Sequence, residues 1–181
     1  MQLISSPAQA WEEIRLQEDG RQVLTGFVYP MIGLCGLSVF LGSLMEQGWS
    51  GPQSFQYAMT RCCALAVALF GGYFLAAYLL NQLRMSWLKQ EDDLLLVQRF
   101  AGYTLSVTFV LQIAIGLLPD FSIIAGLLQF YLVYVAWEGS RTLLRVEEKV
   151  LVPFTLVSSV LLFVCPWLIQ FIFNKLMVIL N

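Results

Sequence analysis

An all-α fold, a polytopic integral membrane helix bundle with five transmembrane helices and a short amino-terminal interfacial helix, follows from three features of this sequence. Five long apolar runs are separated by polar gaps. Apolar residues make up 59% of the 181 positions and charged residues 12%, too little charge to cover a soluble domain of this length. Arg15, Arg21, Arg84, Lys89, Arg99, Arg141, Arg145 and Lys149 all fall in alternate gaps, which leaves Arg61 and Lys175 on the other side. Short cytoplasmic segments hold the Lys/Arg excess of membrane proteins. The amino terminus is therefore expected in the cytoplasm and the carboxyl terminus outside.

The elements follow in order. Ser6 suits an N-cap, Pro7 the first helical position and Gln9 a capping box, with Gly20 as the stop, so an interfacial helix is expected over 6–19. Ala10, Trp11 and Ile14 share one face of it, and Glu12, Glu13 and Glu18 are mostly turned elsewhere. Trp11 favours the headgroup boundary, so the helix is expected to lie flat on the leaflet. This start is too polar for a signal peptide, and no segment is expected to be removed.

Spans are expected at about 24–45, 62–83, 100–118, 121–137 and 151–173. About 20 residues cross a ~30 Å hydrocarbon layer, and the third and fourth spans are at the short end. Gly48, Gly51 and Pro52 mark the first loop, and Arg61 is placed to snorkel. The charged gap 84–99 is expected to hold a short surface helix over Asp92–Gln98. Pro119 and Asp120 form a tight turn that makes spans three and four an antiparallel hairpin. The last apolar run reaches Leu180, longer than the layer, so tilt or a kink at Pro166 is expected. The whole chain, 1–181, reads as one domain.

Inside the membrane, Ala64, Ala68, Gly72 and Ala76 form a ridge of small residues at every fourth position of span two. Such a ridge lets another helix backbone approach closely, in the same chain or in a second copy. Ser38 and Gly42 give span one a weaker version. Gln112 and Gln129 are costly in lipid unless paired, and the hairpin brings them within half a turn of each other. An interhelical hydrogen bond between the two amides, direct or through a shared water, is expected. Structural glue is the simpler role for them; the other is contact with a substrate.

A working face is expected along span four. Tyr131, Tyr134, Glu138, Arg141 and Arg145 fall on one helical stripe if the helix continues past Trp137, although Gly139 weakens that continuation. Glu138 and Arg141 are spaced to pair, and arginines suit phosphate groups. The stripe is therefore a candidate site for a lipid headgroup or a protein partner. Its plainer reading is a helix contact made by the tyrosines, with the arginines at the headgroups.

Catalytic and metal-binding patterns are missing. There is no histidine, no GxSxG, no phosphate-binding loop and no HExxH. Cys35, Cys62, Cys63 and Cys165 sit in or beside apolar runs without CxxC spacing and read as small apolar residues. Glu91, Asp92 and Asp93 point three ways on a helix and read as a solvated face. No cofactor, metal or nucleic acid is expected; the net charge is -2.

Several runs resemble the Yip-domain family of Ypt/Rab-interacting membrane proteins and their small bacterial relatives. They are Phe100-Ala101-Gly102-Tyr103, Leu118-Pro119, Tyr131-x-x-Tyr134-x-x-Trp137-x-Gly139, the segment Leu143 to Lys149, and Phe154-Thr155. The opening Ser6-Pro7-x-x-x-Trp11-x-x-Ile14 resembles the bacterial form. Span one matches only in hydropathy. The resemblance implies five spans with a cytoplasmic amino end, and for eukaryotic members a role in vesicle traffic through small GTPases. The DLYGP-type motif of those members has no counterpart in this sequence. The expected protein is thus a non-enzymatic bacterial inner-membrane protein. It would organise membrane lipid or scaffold a partner through its cytoplasmic face, alone or as a homo-oligomer. The alternative is an oligomeric small transporter or channel subunit.

Overall fold

The computed structural model of the chain describes residues 6–16, 23–49 and 51–180, the last four of these by their backbone alone. Glu18, the expected stop at Gly20, Arg21 and Asn181 lie outside the described residues. Every regular element among the described residues is helical. Among the described residues four helices are long and apolar enough to cross a membrane, five if the bent pair 119–128 and 131–142 is counted as one span.

Helix α1 covers Pro7–Leu16 and starts with the Ala10 N–H bonded to the Ser6 carbonyl at 3.1 Å. It does not lie with Trp11 at a lipid headgroup, as the sequence suggested. Ala10, Trp11 and Ile14 are buried against the bundle, and Trp11 is wholly enclosed. Burial of the indole inside protein outweighs its interfacial preference, because its N–H finds a partner there.

A π-helical turn, Leu24–Val28, leads into α2, Tyr29–Gln47. Gly51, at φ 128°, then turns the chain into α3, Pro52–Leu88. This helix has 37 residues, or roughly 55 Å at ~1.5 Å each. It therefore overruns the expected span at both ends and takes in positions expected to be loop. Nothing between Pro52 and Lys89 breaks it: Gly71 and Gly72 are accommodated, and it ends where Lys89 turns left-handed at φ 51°.

The expected surface helix over Asp92–Gln98 is instead the start of a transmembrane element. Asp93 accepts the Leu96 N–H at 3.0 Å and so caps α4, Leu94–Thr104. A turn at Leu105 joins it to α5, Ser106–Leu117, and the two form one span. Asp92 accepts from the Asn81 amide at 2.7 Å, and the Glu91 carbonyl accepts from buried Arg84. The acidic cluster thus ties the loop to α3.

A 3-10 turn, Pro119–Phe121, leads to α6, Ser122–Leu128, and then to α7, Tyr131–Thr142. The fourth span is therefore not one straight helix: its halves meet at a 41° bend across Gln129 and Phe130. The last helix, α8, runs unbroken through Pro153 and Pro166 from Glu148 to Leu180.

Close helix crossings fall at small residues. A Cβ on Gly72 of α3 would lie 2.4 Å from Pro166 Cα of α8. A Cβ on Gly42 of α2 would lie 1.7 Å from the Gly116 carbonyl of α5. Dispersion, which acts over short distances, rewards such approach where lipid removes the hydrophobic drive. The outward faces carry exposed large apolar side chains, among them Leu37, Ile123, Leu127, Leu156 and Trp167, as a lipid-facing surface requires.

Candidate functional site

The bundle has two ends that could carry function. One, the cap end, is where α1 docks; the other, the turn end, holds Pro119.

At the cap end, Trp11 organises the packing. Its Nε1 donates to the Val135 carbonyl of α7 at 3.0 Å. Its ring stacks on Phe100 at 5.9 Å and meets Tyr103 edge-on at 6.2 Å. Gly139 makes room for it, since a Cβ there would lie 2.7 Å from Trp11 Cζ2. Arg99 donates to the Ile14 carbonyl in the last turn of α1, where a cation also meets the negative end of the helix dipole. Residues that carried the family resemblance, Trp11, Phe100, Tyr103 and Gly139, thus meet at one place.

The tyrosine–arginine stripe lies beside this seat and is not a single helical stripe. Tyr131, Tyr134, Glu138 and Arg141 do lie on α7, which passes through Gly139 to Thr142. The Tyr131 and Tyr134 rings are 5.6 Å apart. Arg145 has left the helix: Leu144 N–H turns back to the Gly139 carbonyl, Val146 N–H to the Ser140 carbonyl, and Arg145 sits at φ 50°. The spacing argument assumed a helix that ends three residues too early for it. Arg141 and Arg145 are exposed. Arg61 and Glu46 pair at 3.3 Å, whereas Glu138 and Arg141, both described, do not, so the expected Glu138–Arg141 pair does not form.

At the turn end, three cavities adjoin. A vestibule of about 460 Å³ is walled by Ser43, Glu46, Arg61, Gln112, Gln170 and Asn174, among others. A middle cavity of about 150 Å³ shares Leu65, Gln112 and Gln170 with it and adds Thr108 and Gln129. A third space, an apolar groove of about 260 Å³, shares Gln129 and Phe163 with the middle cavity. It runs between the α6–α7 bend and α8, along Gly126, Phe130, Val133 and Val160.

Gln112 and Gln129 therefore face the same middle cavity, but they are not each other's hydrogen-bond partners. Gln129 Nε2 donates to Thr108 Oγ1 at 2.7 Å. Thr108 lies one helical turn before Gln112, and the bend at Gln129 turns the amide towards it. The small-residue ridge has two surroundings. Ala64 lines the vestibule and Ala68 the middle cavity, whereas Gly72 seats Pro166 and Ala76 is fully buried.

The sequence reading passed over Gln170, Asn174, Ser43 and Thr108. Gln170 could have been found by the rule that singled out Gln112 and Gln129, since it too is an amide inside an apolar run. Ser43 could not. It is 2% exposed, and its Oγ has no hydrogen-bond partner among the described residues. Among the described residues no group of three His, Cys, Asp or Glu is placed to hold a metal ion.

No curated protein and no solved structure matches this chain. The Yip1 domain matches it over residues 1–169, which takes in α1, the helices up to α7, the first two thirds of α8 and the cap-end seat of Trp11. That match covers nearly the whole sequence and fits an all-helical, multi-pass chain, so the protein is a member of the Yip1 domain family.

Proposed function

We propose that this multi-pass membrane protein is not an enzyme and that it scaffolds a partner protein through its cap end, with that end in the cytoplasm of a bacterium and the chain in its inner membrane. The observation that carries this reading is the locking of α1 onto α4 and α7 by Trp11 and Arg99. The lock joins elements distant in sequence into one platform, which presents Arg15, Arg141 and Arg145 to solvent. The platform's charges are mixed: Glu12 and Glu13 lie beside Arg15, and Glu147 and Glu148 lie between Arg145 and Lys149. Recruitment of anionic lipid favours a run of cations without acids. Mixed charge fits the rim of a protein interface better.

Photocrosslinking from position 141 in membranes tests it. The expected result is a defined protein adduct that is lost in the variant Arg145→Asn. An unchanged adduct removes Arg145 from the reading. Orientation is tested in a cysteine-free background. Lys89→Cys should label only from the cytoplasm and Gln47→Cys only from outside.

The cavities at the turn end favour one second reading, a subunit of an oligomeric transporter with Gln112 and Gln129 on its path. Substrate-dependent flux in liposomes that hold only this protein would support it over scaffolding.

A further inference from the structure

The three cavities at the turn end change in polarity along their length, and that order matches one kind of molecule. The vestibule mixes hydrogen-bonding groups with apolar ones such as Val39 and Ile115 and is rimmed by both signs of charge, with Arg61 and Glu46 3.3 Å apart and about half exposed. The groove, at the far end of the series, is lined almost wholly by apolar side chains and lies on the lipid-facing surface between α7 and α8. Middle-cavity residues Gln112, Gln129 and Gln170 each also line one of its neighbours.

We infer that this series is a binding site for one zwitterionic phospholipid, its headgroup in the vestibule and one acyl chain in the groove. Both charges of the Arg61–Glu46 pair are needed by such a headgroup: the guanidinium for the phosphate, the carboxylate for the ammonium. An anionic headgroup would satisfy Arg61 and leave its phosphate facing Glu46. The pair is exposed and held at 3.3 Å, so a headgroup can take the place of each partner.

Length agrees as well. Asn174 lines the vestibule and Val160 the groove, both on α8. The stretch between them is roughly 21 Å of helix at ~1.5 Å per residue. That is a headgroup plus about half of a ~30 Å hydrocarbon layer, the depth one chain of one leaflet reaches. The vestibule's 460 Å³ is within the size of small-molecule sites. The site lies at the end of the bundle opposite α1 and does not depend on the scaffolding reading.

Native mass spectrometry of the full chain tests the inference, after release from nanodiscs of equimolar phosphatidylethanolamine and phosphatidylglycerol. The expected spectrum has one lipid adduct per chain, with phosphatidylethanolamine favoured at least fivefold. Gly126→Phe should reduce that adduct at least fivefold. A Cβ at Gly126 meets nothing within 4 Å, so the ring enters the groove without striking the backbone. Val160→Trp blocks the groove from α8 and should act alike, whereas Leu156→Trp, an exposed position of α8 outside the groove, should keep the adduct. Glu46→Lys should erase the preference between the two lipids. The inference is overturned if no single adduct survives release, if phosphatidylglycerol is retained equally by the unsubstituted chain, or if both groove variants match Leu156→Trp.

Discussion

Gly139 is the floor of the Trp11 seat: a Cβ there would lie 2.7 Å from the indole Cζ2 and 2.9 Å from Phe100 Cε2. Glycine is disfavoured inside a helix by up to ~1 kcal/mol against alanine. At this position the ordering reverses, because the methyl would displace an enclosed ring. Gly139→Ala is expected to lower thermal stability in detergent and to expose α1 to limited proteolysis.

The same seat predicts a graded series at Trp11. Trp11→Ala empties a large buried site and should cost about 3–5 kcal/mol. Trp11→Phe keeps most of the apolar contact but loses the 3.0 Å hydrogen bond to the Val135 carbonyl, about 0.5–1.5 kcal/mol. Reversible unfolding in mixed micelles measures both. Equal losses would mean that the hydrogen bond, and not the ring, holds α1.

Helix crossings give a second contrast between glycines. Gly42→Ala places a carbon 1.7 Å from the backbone oxygen of Gly116, and backbone cannot rotate aside. The α2–α5 crossing must open, with an expected loss of about 1–3 kcal/mol from overpacking. Gly33→Ala, on the same helix, meets nothing within 4 Å and should be neutral or slightly stabilising. Side-by-side melting of the two variants reads the difference.

What the sequence could foretell divides by the range of the physics involved. Hydropathy and glycine or proline punctuation are local, so five apolar runs, the Pro119 turn and the start of α1 at Pro7 were legible. Partners across the bundle were not. Straight-helix geometry did bring Gln112 and Gln129 to one cavity, but it could not foresee that, beside a 41° bend, Gln129 would bond directly to Thr108. Trp11 was placed at the headgroups by its average preference, whereas Gly139, 128 positions away, had the room to bury it. The turn-end cavities were the least legible: no local pattern joins Ser43, Arg61, Gln112 and Gln170, which come from four different helices.

The Thr108–Gln129 bond allows a direct measure of polar pairing in the bundle. Interhelical hydrogen bonds in membranes average about 0.6 kcal/mol in double-mutant cycles. The cycle Thr108→Val, Gln129→Leu and the double variant should therefore give a coupling below about 1.7 kcal/mol. A larger value would make the pair more than structural glue. A value near zero would mean that Gln129 exchanges freely between Thr108 and the cavity.

Arg145 permits its charge and its backbone to be separated. It holds φ at 50°, a left-handed conformation that costs a non-glycine residue about 1–2 kcal/mol. The turn needs that conformation, because Val146 N–H must reach back to the Ser140 carbonyl at 3.1 Å before α8 can begin. Arg145→Gly removes the strain and should raise stability by up to that amount, although the added freedom of the unfolded chain takes back part of the gain. Arg145→Ala keeps the strain and loses the same charge, so it should not stabilise. If the arginine serves a partner, both variants weaken the crosslink from position 141 equally while their melting temperatures move apart. If it serves only the fold, the crosslink follows stability, and Arg145→Gly retains it.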